Sequence, residues 1–333
     1  MLPFPADYFI RRVRTLHEHI RAEVRTHLLR HSAEWLAQAT ESVDGDTQFR
    51  IDLRVERLLL QLCHEWAQEV PFVLIAEGIA EHGWLVLPEG TDLAAAQFLL
   101  IADPIDGTRL IMYDKRSAWC LTGIAPNRGR QTTLADIQIA VQTEIPTTRQ
   151  HLADTLWAVR GQGAFGERVN LLNGTATPFR PAPSQATDLR YGFASIANFF
   201  PEGKGWLARL EEEVYRRLAS SELRGNPLVF ADQYLSTGGQ VYELSIGHDR
   251  FIADLRPIAF QRLGYSHLPL CAHPYDICTA LIACEAGAII TDPYGKPLQT
   301  PLDTREPVAW VGYANPALRA LIEPVLHHLL QEG

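Results

Sequence analysis

The 333-residue chain has no low-complexity tract, no internal repeat and no run approaching the roughly 20 apolar residues that a membrane span needs. Its first residues, MLPFPADYFIRRVR, lack the continuous apolar core of a secretory signal, so a cytoplasmic location is expected. Five cysteines (Cys63, Cys120, Cys271, Cys278 and Cys284) form no CxxC pair, and their odd number suits small reduced core residues better than a disulfide framework. Twelve histidines, among them His17, His19, His27 and His31, supply neither HExxH nor a Cys/His pairing, which argues against a transition-metal site. Positive charge is scarce as well. With 30 Lys and Arg against 39 Asp and Glu, the formal net charge is -9, which argues against general binding to a nucleic-acid polymer. A small anionic ligand stays open, because bound cations reverse the local sign. What is present is 47% hydrophobic residues, enough for one large or two intimate globular domains.

Apolar residues at helical spacing predict two amphipathic helices near the N-terminus, one through Ile10, Val13, Ile20, Val24 and Leu28, the other from Ile51 to Trp66, with a polar loop from Glu41 to Gln48 between them. Val73 to Ala76 and Phe98 to Ala102 read as buried strands, each ending in a carboxylate, Glu77 and Asp103. Trp119 to Ala125, Leu134 to Val141 and Thr155 to Arg160 continue as a meander, with a turn at Gly161 to Gly163. After the proline-rich stretch Thr177 to Pro183 the pattern becomes strand and helix alternation. This places a boundary between an N-terminal α+β subdomain, 1–182, and a C-terminal α/β subdomain, 183–333. The later elements are a strand from Leu189 to Ser195, a helix from Trp206 to Ala219, a helix beginning near Asp232, a helix from Tyr275 to Ala286 ended by Gly287, strands Ala288 to Thr291 and Val308 to Gly312, and a closing helix from Pro316.

The string Asp103-Pro104-Ile105-Asp106-Gly107-Thr108 carries the most chemistry, placing two carboxylates, a carbonyl and a hydroxyl on one tight turn. Hard cations such as Mg²⁺ prefer oxygen ligands of this kind, and Gly107 lets backbone approach an anion closely. Asp, Pro and Gly are also ordinary turn residues. An aspartyl-phosphate mechanism needs Asp at the position of Pro104, and an EF-hand needs oxygen side chains where Ile105 and Gly107 stand, so both fail on residue identity.

Four elements in order, Asp52 in the second helix, Glu77 after a strand, the Asp103 to Thr108 turn, and Tyr275-Asp276 running into Glu285-Ala286-Gly287-Ala288, make the chain resemble the inositol monophosphatase superfamily, which also holds fructose-1,6-bisphosphatases and 3'(2'),5'-bisphosphate nucleotidases. The resemblance implies an α/β (α+β) fold, a layered α-β-α-β-α sandwich, and a homodimeric, cytoplasmic, Mg²⁺-dependent phosphomonoesterase acting on small phosphorylated metabolites, with two to three ions and no membrane partner. It implies that Glu77, Asp103 and the Ile105 carbonyl bind one ion, that Asp103, Asp106 and Asp276 bind a second, and that Asp52 with Thr108 orients and deprotonates the attacking water, Glu77 assisting. It further implies substrate contacts from Asp106, Gly107, Thr108 and Asp276, and from Gly238, Gln240 and Asp254.

Departures from the family pattern are local. Ala76-Glu77-Gly78 keeps the first of two usual carboxylates, Tyr275 replaces a usual Trp, Glu41 stands near a usual Lys, and Ala253 with Asp254 falls where a substrate-binding Glu is usual. Leu255 to His273 is longer than the usual connection and is expected to form a rim beside the pocket. Inositol phosphate is thus one candidate substrate, with a sugar bisphosphate or nucleotide 3'-phosphate as alternatives and a catalytically inactive binding protein as a third.

Overall fold

The computed structural model describes residues 2–43, 46–80, 82–218, 228–265 and 270–332, with the side chains of 39–48 left aside. The side chain of Glu41 and residues 266–269 of the expected 255–273 rim therefore lie outside what is described.

The chain opens with α1 (Ala6–Arg30), α2 (Ala33–Leu36), the short pair β1 (Ala39–Val43) and β2 (Asp46–Phe49), and α3 (Arg50–Ala67). A sheet of eight strands follows: β3 (Phe72–Ala76), β4 (Trp84–Leu87), β5 (Phe98–Asp106), then, after helix α4 (Thr108–Met112), β6 (Ala118–Pro126), β7 (Ile139–Ile145), β8 (Leu152–Val159), β9 (Gly163–Asn170) and β10 (Ala176–Phe179). Its order is β10-β9-β8-β7-β6-β5-β3-β4, so β5 to β10 form the expected antiparallel meander, and β3 lies parallel to β5. The rest of the chain supplies β11 (Gly192–Ile196), α5 (Lys204–Leu218), β12 (Val229–Phe230), α6 (Thr237–Ser245), β13 (Asp249–Asp254), α7 (Arg256–Arg262), α8 (Pro274–Ile277), α9 (Ala280–Ala286), β14 (Ile289–Thr291), β15 (Trp310–Tyr313) and α10 (Pro316–Glu332). These strands form a second sheet, ordered β12-β11-β13-β15-β14.

Both faces of the larger sheet are covered, which explains its unbroken apolar runs. In β3 and β5, Phe72, Leu74, Phe98 and Leu100 join the core under α1 and α3, whereas Val73, Ile75, Leu99 and Ile101 join the core shared with α6, α9 and the second sheet. With α5 and α10 packed together beyond that sheet, the layers run α-β-α-β-α.

Five expectations change in detail. The segment expected as a polar loop from Glu41 to Gln48 contains β1 and β2 instead, since its Thr and Val residues suit an extended pair. The predicted strand from Leu134 begins at Ile139, because Asp136 accepts hydrogen bonds from the Thr133 N–H at 2.9 Å and hydroxyl at 3.1 Å and closes a 3-10 turn first. The helix expected near Asp232 begins at Thr237, where Ser236 caps it by accepting from Gly239 N–H at 2.9 Å. The predicted single helix from Tyr275 to Ala286 is two helices: Thr279 hydroxyl donates to Gln142 at 3.1 Å and ties the chain to β7 at the break. Cys284, expected in the core, is exposed, while the other four cysteines are buried.

The largest helix is pinned to the sheet by a buried imidazole. His17 on α1 lies 3.0 Å from the Thr143 hydroxyl and 2.8 Å from that of Thr122. Burial, reinforced by the neighbouring Arg21 charge, lowers its pKa from 6.5 to about 3, so it folds neutral. Because its folded pKa lies below its unfolded value, the stability tied to this group is complete above about pH 6.5 and drains away toward about pH 3. His17→Gln should therefore lose less stability than wild type between about pH 7 and about pH 5, as read by urea melts at both values.

Candidate metal centre and cleft

Asp103 and Asp106 stand three positions apart, which in a regular strand puts them on opposite faces. The β5 to β6 register removes that conflict. Asp103 pairs with Leu121 and Asp106 with Trp119, so three steps on β5 match two on β6 and one extra residue is bulged out. Proline at position 104 suits such a site, since it has no N–H to give to a ladder. Leu121 and Trp119 lie on one face, and the bulge brings both carboxylates to it. Gly107, at φ 92°, then turns the chain into α4, and a Cβ there would sit 3.2 Å from that of Ser236.

Asp276 comes from the third position of α8, which packs on β5 and β6. With only four residues, α8 gives Asp276 little of the helix-dipole support expected from a longer helix. Its carboxylate accepts instead from the His273 N–H at 2.7 Å. Carboxylate oxygens of Asp103, Asp106 and Asp276 all lie within 4.8 Å of one another. Asp106 accepts from the Ser236 hydroxyl at 2.8 Å and from Gly238 N–H at 2.5 Å, at the N-terminus of α6, and Asp103 accepts from Ile105 N–H at 2.9 Å. Glu77 follows Ala76, whose parallel partner is Ala102, so it emerges beside Asp103 at the ends of two neighbouring strands. Glu77 is exposed and lines the cleft but stands outside the tight group of three.

On the other side of the turn, Thr108 hydroxyl lies 3.1 Å from Asp52 and 2.9 Å from the Ile105 carbonyl. Asp52, at the third position of α3, uses its second oxygen to accept from Phe49 N–H at 2.9 Å. The three carboxylates, Glu77, Ile105, Thr108 and Asp52 open onto one cleft of about 180 Å³. Its walls hold six carboxylates (Asp52, Glu56, Glu77, Asp103, Asp106 and Asp276) against two guanidinium groups, Arg109 and Arg256.

Burial raises the pKa of Asp103 well above the carboxylate range, and the charges of Asp106, Asp276 and Glu77 raise it further. Burial and the Asp276 charge likewise raise Asp106, although bonds from Ser236 and Gly238 oppose the shift. At an effective dielectric of about 20, two unit charges about 4.8 Å apart repel by roughly 3 kcal/mol. Three such pairs rival the whole stability of a typical domain, so the cluster must take up either protons or cations. An all-oxygen set of this kind fits hard divalent cations.

Gly238, Gln240 and Asp254, assigned above to substrate, do not line the cleft. Gly238 holds Asp106 through its N–H, and added bulk there would strike Leu121 and Asp106. Gln240 is 2% exposed and spends its amide on the Tyr234 carbonyl, because the first turn of α6 packs inward. Asp254 is fully buried, with its carboxylate bound to Arg256. Sequence reasoning missed Glu56, Phe199, Phe200 and Arg256 as cleft residues. Only Glu56 carried a signal, one helical turn after Asp52 on the same face of α3, with Gly78 leaving room for its side chain.

The arrangement of two sheets and five layers is that of the inositol monophosphatase and fructose-1,6-bisphosphatase fold. Among the solved structures that share it are a Leishmania major fructose-1,6-bisphosphatase in holo form (TM-score 0.66, 14% identity, 97% of this chain and 93% of that one), an inositol monophosphatase from Anabaena (Nostoc) sp. PCC 7120 (0.61, 12%, 97% and 96%) and the extragenic suppressor protein SuhB from Bartonella henselae (0.63, 14%, 96% and 98%). No family model matches the sequence, and no curated protein matches it.

Folded pKa values raised above the unfolded ones mean that Asp103 and Asp106 favour the fold below the ordinary carboxylate range and penalise it as pH rises. Chelator-treated protein should therefore melt at lower temperature at about pH 8 than at about pH 5, and the gain from Mg²⁺ should be larger at the higher pH. Asp249, buried near Glu243 and Asp232 and raised to about 7, adds a slope of the same sign that Mg²⁺ should not remove.

Proposed function

We propose that the protein is a Mg²⁺-dependent phosphomonoesterase of small phosphorylated metabolites. The observation that carries this reading is the tight group of Asp103, Asp106 and Asp276 opening on the same cleft as the Asp52–Thr108 pair. Likeness of fold to phosphatases supports it. Asp103, Asp106 and Asp276, with Glu77 at the rim and the Ile105 carbonyl, would hold two to three ions. Such ions, when bound, polarise a phosphoryl oxygen, acidify water and offset charge on the leaving group.

The chain's own groups complete the site. Thr108 has one hydroxyl proton and two acceptors in reach, the Ile105 carbonyl and Asp52. With that proton directed at Asp52, the hydroxyl oxygen is left to accept from an attacking water and orient it. Asp52, held by Phe49 N–H, is placed to take up the proton as water attacks phosphorus. Thr108 and Arg109, the first residues of α4, also line the cleft, and the first N–H groups of a helix have no intrahelical acceptor, so a phosphate bound there would find donors. An inactive binding protein would need neither the Asp52–Thr108 pair nor the strained charge group.

Phosphate release from inositol monophosphate, fructose 1,6-bisphosphate and adenosine 3',5'-bisphosphate, with and without Mg²⁺, tests the proposal. Metal-dependent release from at least one is expected, and silence from all three in the presence of metal counts against it. Asp106→Asn and Asp276→Asn should abolish turnover with melting retained, while Thr108→Ala should lower kcat by about 10²-fold or more. Near-wild-type rates in either Asn variant would remove the metal assignment.

A further inference from the structure

One cationic group on the cleft wall has no part in holding metal or orienting water. Arg256 follows β13 directly and opens α7; it is 4% exposed, yet it borders the cleft. Its Nε and Nη2 donate to the two oxygens of Asp254 at 2.8 and 2.5 Å, and its Nη1 donates to the Leu270 carbonyl at 2.9 Å. The guanidinium carbon lies 4.6 Å from the ring centroid of Phe199 and 5.3 Å from that of Phe200, and both rings line the same cleft. Carboxylate, carbonyl and rings together fix the plane of the group.

These three bonds use three of the five N–H donors of an arginine and leave two. Burying an ion pair is a poor route to stability, since well-packed apolar residues of similar volume serve as well or better. A planar guanidinium with donors remaining is, however, well suited to grip a phosphate or carboxylate in two-point contact. It reaches the cleft from the other sheet, near enough to Asp276 for the two charges to attract. The carboxylates sit at the ends of β3 and β5 and on α8, whereas Arg256 and Phe199 follow β13 and β11, the parallel pair of the other sheet.

We propose that Arg256, positioned by Asp254 and Phe199, is a specificity residue that binds a second oxyanion, phosphate or carboxylate, on the same small molecule whose phosphoester lies at the metal group. This inference rests on the phosphatase reading. Asp254, assigned from sequence to touch substrate, then acts through Arg256 as a positioning residue.

Matched substrates test it with Mg²⁺ present: fructose 1,6-bisphosphate against fructose 1-phosphate, adenosine 3',5'-bisphosphate against adenosine 3'-phosphate, and 2-phosphoglycerate against glycerol 2-phosphate. The first two pairs report a distal phosphate and the third a carboxylate. In at least one pair kcat/KM should favour the doubly anionic member by roughly 10- to 100-fold, mostly through KM, as expected for charge-assisted hydrogen bonds. Whatever the absolute rates, that ratio should fall to near one in the double variant Asp254→Asn with Arg256→Gln, which removes both buried charges together. Arg256→Lys, which keeps the charge but loses the fork, should lower it severalfold and serves if the double variant does not fold. A wild-type ratio near one in all three pairs, or a ratio unchanged in the variants, overturns the role of Arg256 and leaves the phosphatase reading standing. No release from any of the six compounds by folded, Mg²⁺-loaded protein overturns the phosphatase reading and this inference with it.

Discussion

Three carboxylates held within 4.8 Å of one another, two of them driven toward protonation by burial, are the constraint around which the cleft is organised. Ser236 hydroxyl and Gly238 N–H, at the head of α6, offset part of the charge on Asp106, and the backbone at Ile105 offsets part of that on Asp103. What these bonds leave uncompensated calls for a counter-charge from outside the chain. The placement of the β5 bulge, of α8 and of the α6 cap all follow from bringing these groups together rather than from packing alone.

The two sheets divide the work. The larger one supplies carboxylates at the ends of its parallel pair, β3 and β5, while the smaller one brings Phe199 and Arg256 from the ends of β11 and β13. A crevice outside the carboxyl ends of parallel strands is where ligands of α/β proteins usually bind. Here two such ends face one cleft, and α6 joins them, since its first turn touches Asp106 while its body packs on β13 and β15. A molecule with reactive chemistry at one end and a recognition group at the other suits that layout.

Much of this was legible in the sequence because its signals are local. The long helices followed from apolar spacing, the meander from turn residues between apolar runs, and the Asp103 to Thr108 string from its concentration of oxygen ligands. The bulge was not legible, because strand pairing decides it: nothing within residues 103–106 says that three steps will face two. Gln240 and Asp254 were misassigned for a related reason. Each stands a few residues from a position that lines the cleft, Thr237 and Arg256 respectively, but the direction of a side chain depends on what it packs against, and each found a buried partner first. Phe199 and Arg256, 57 residues apart in sequence, meet only through the parallel pairing of β11 with β13.

The bulged proline also governs which length changes the chain can survive. Between Ala102 and Asp106 the strand is already one residue out of step with its neighbour, and Pro104 can contribute no N–H to a shifted ladder. Adding or deleting one residue in β5 would turn either Asp103 or Asp106 toward the opposite, largely apolar core under α1 and α3. Connections such as the segment before α8 can lengthen without that penalty. Changes of length are thereby steered toward the connections at the edge of the cleft and away from the strand that holds the charge, so the edge can vary while the carboxylates keep their register.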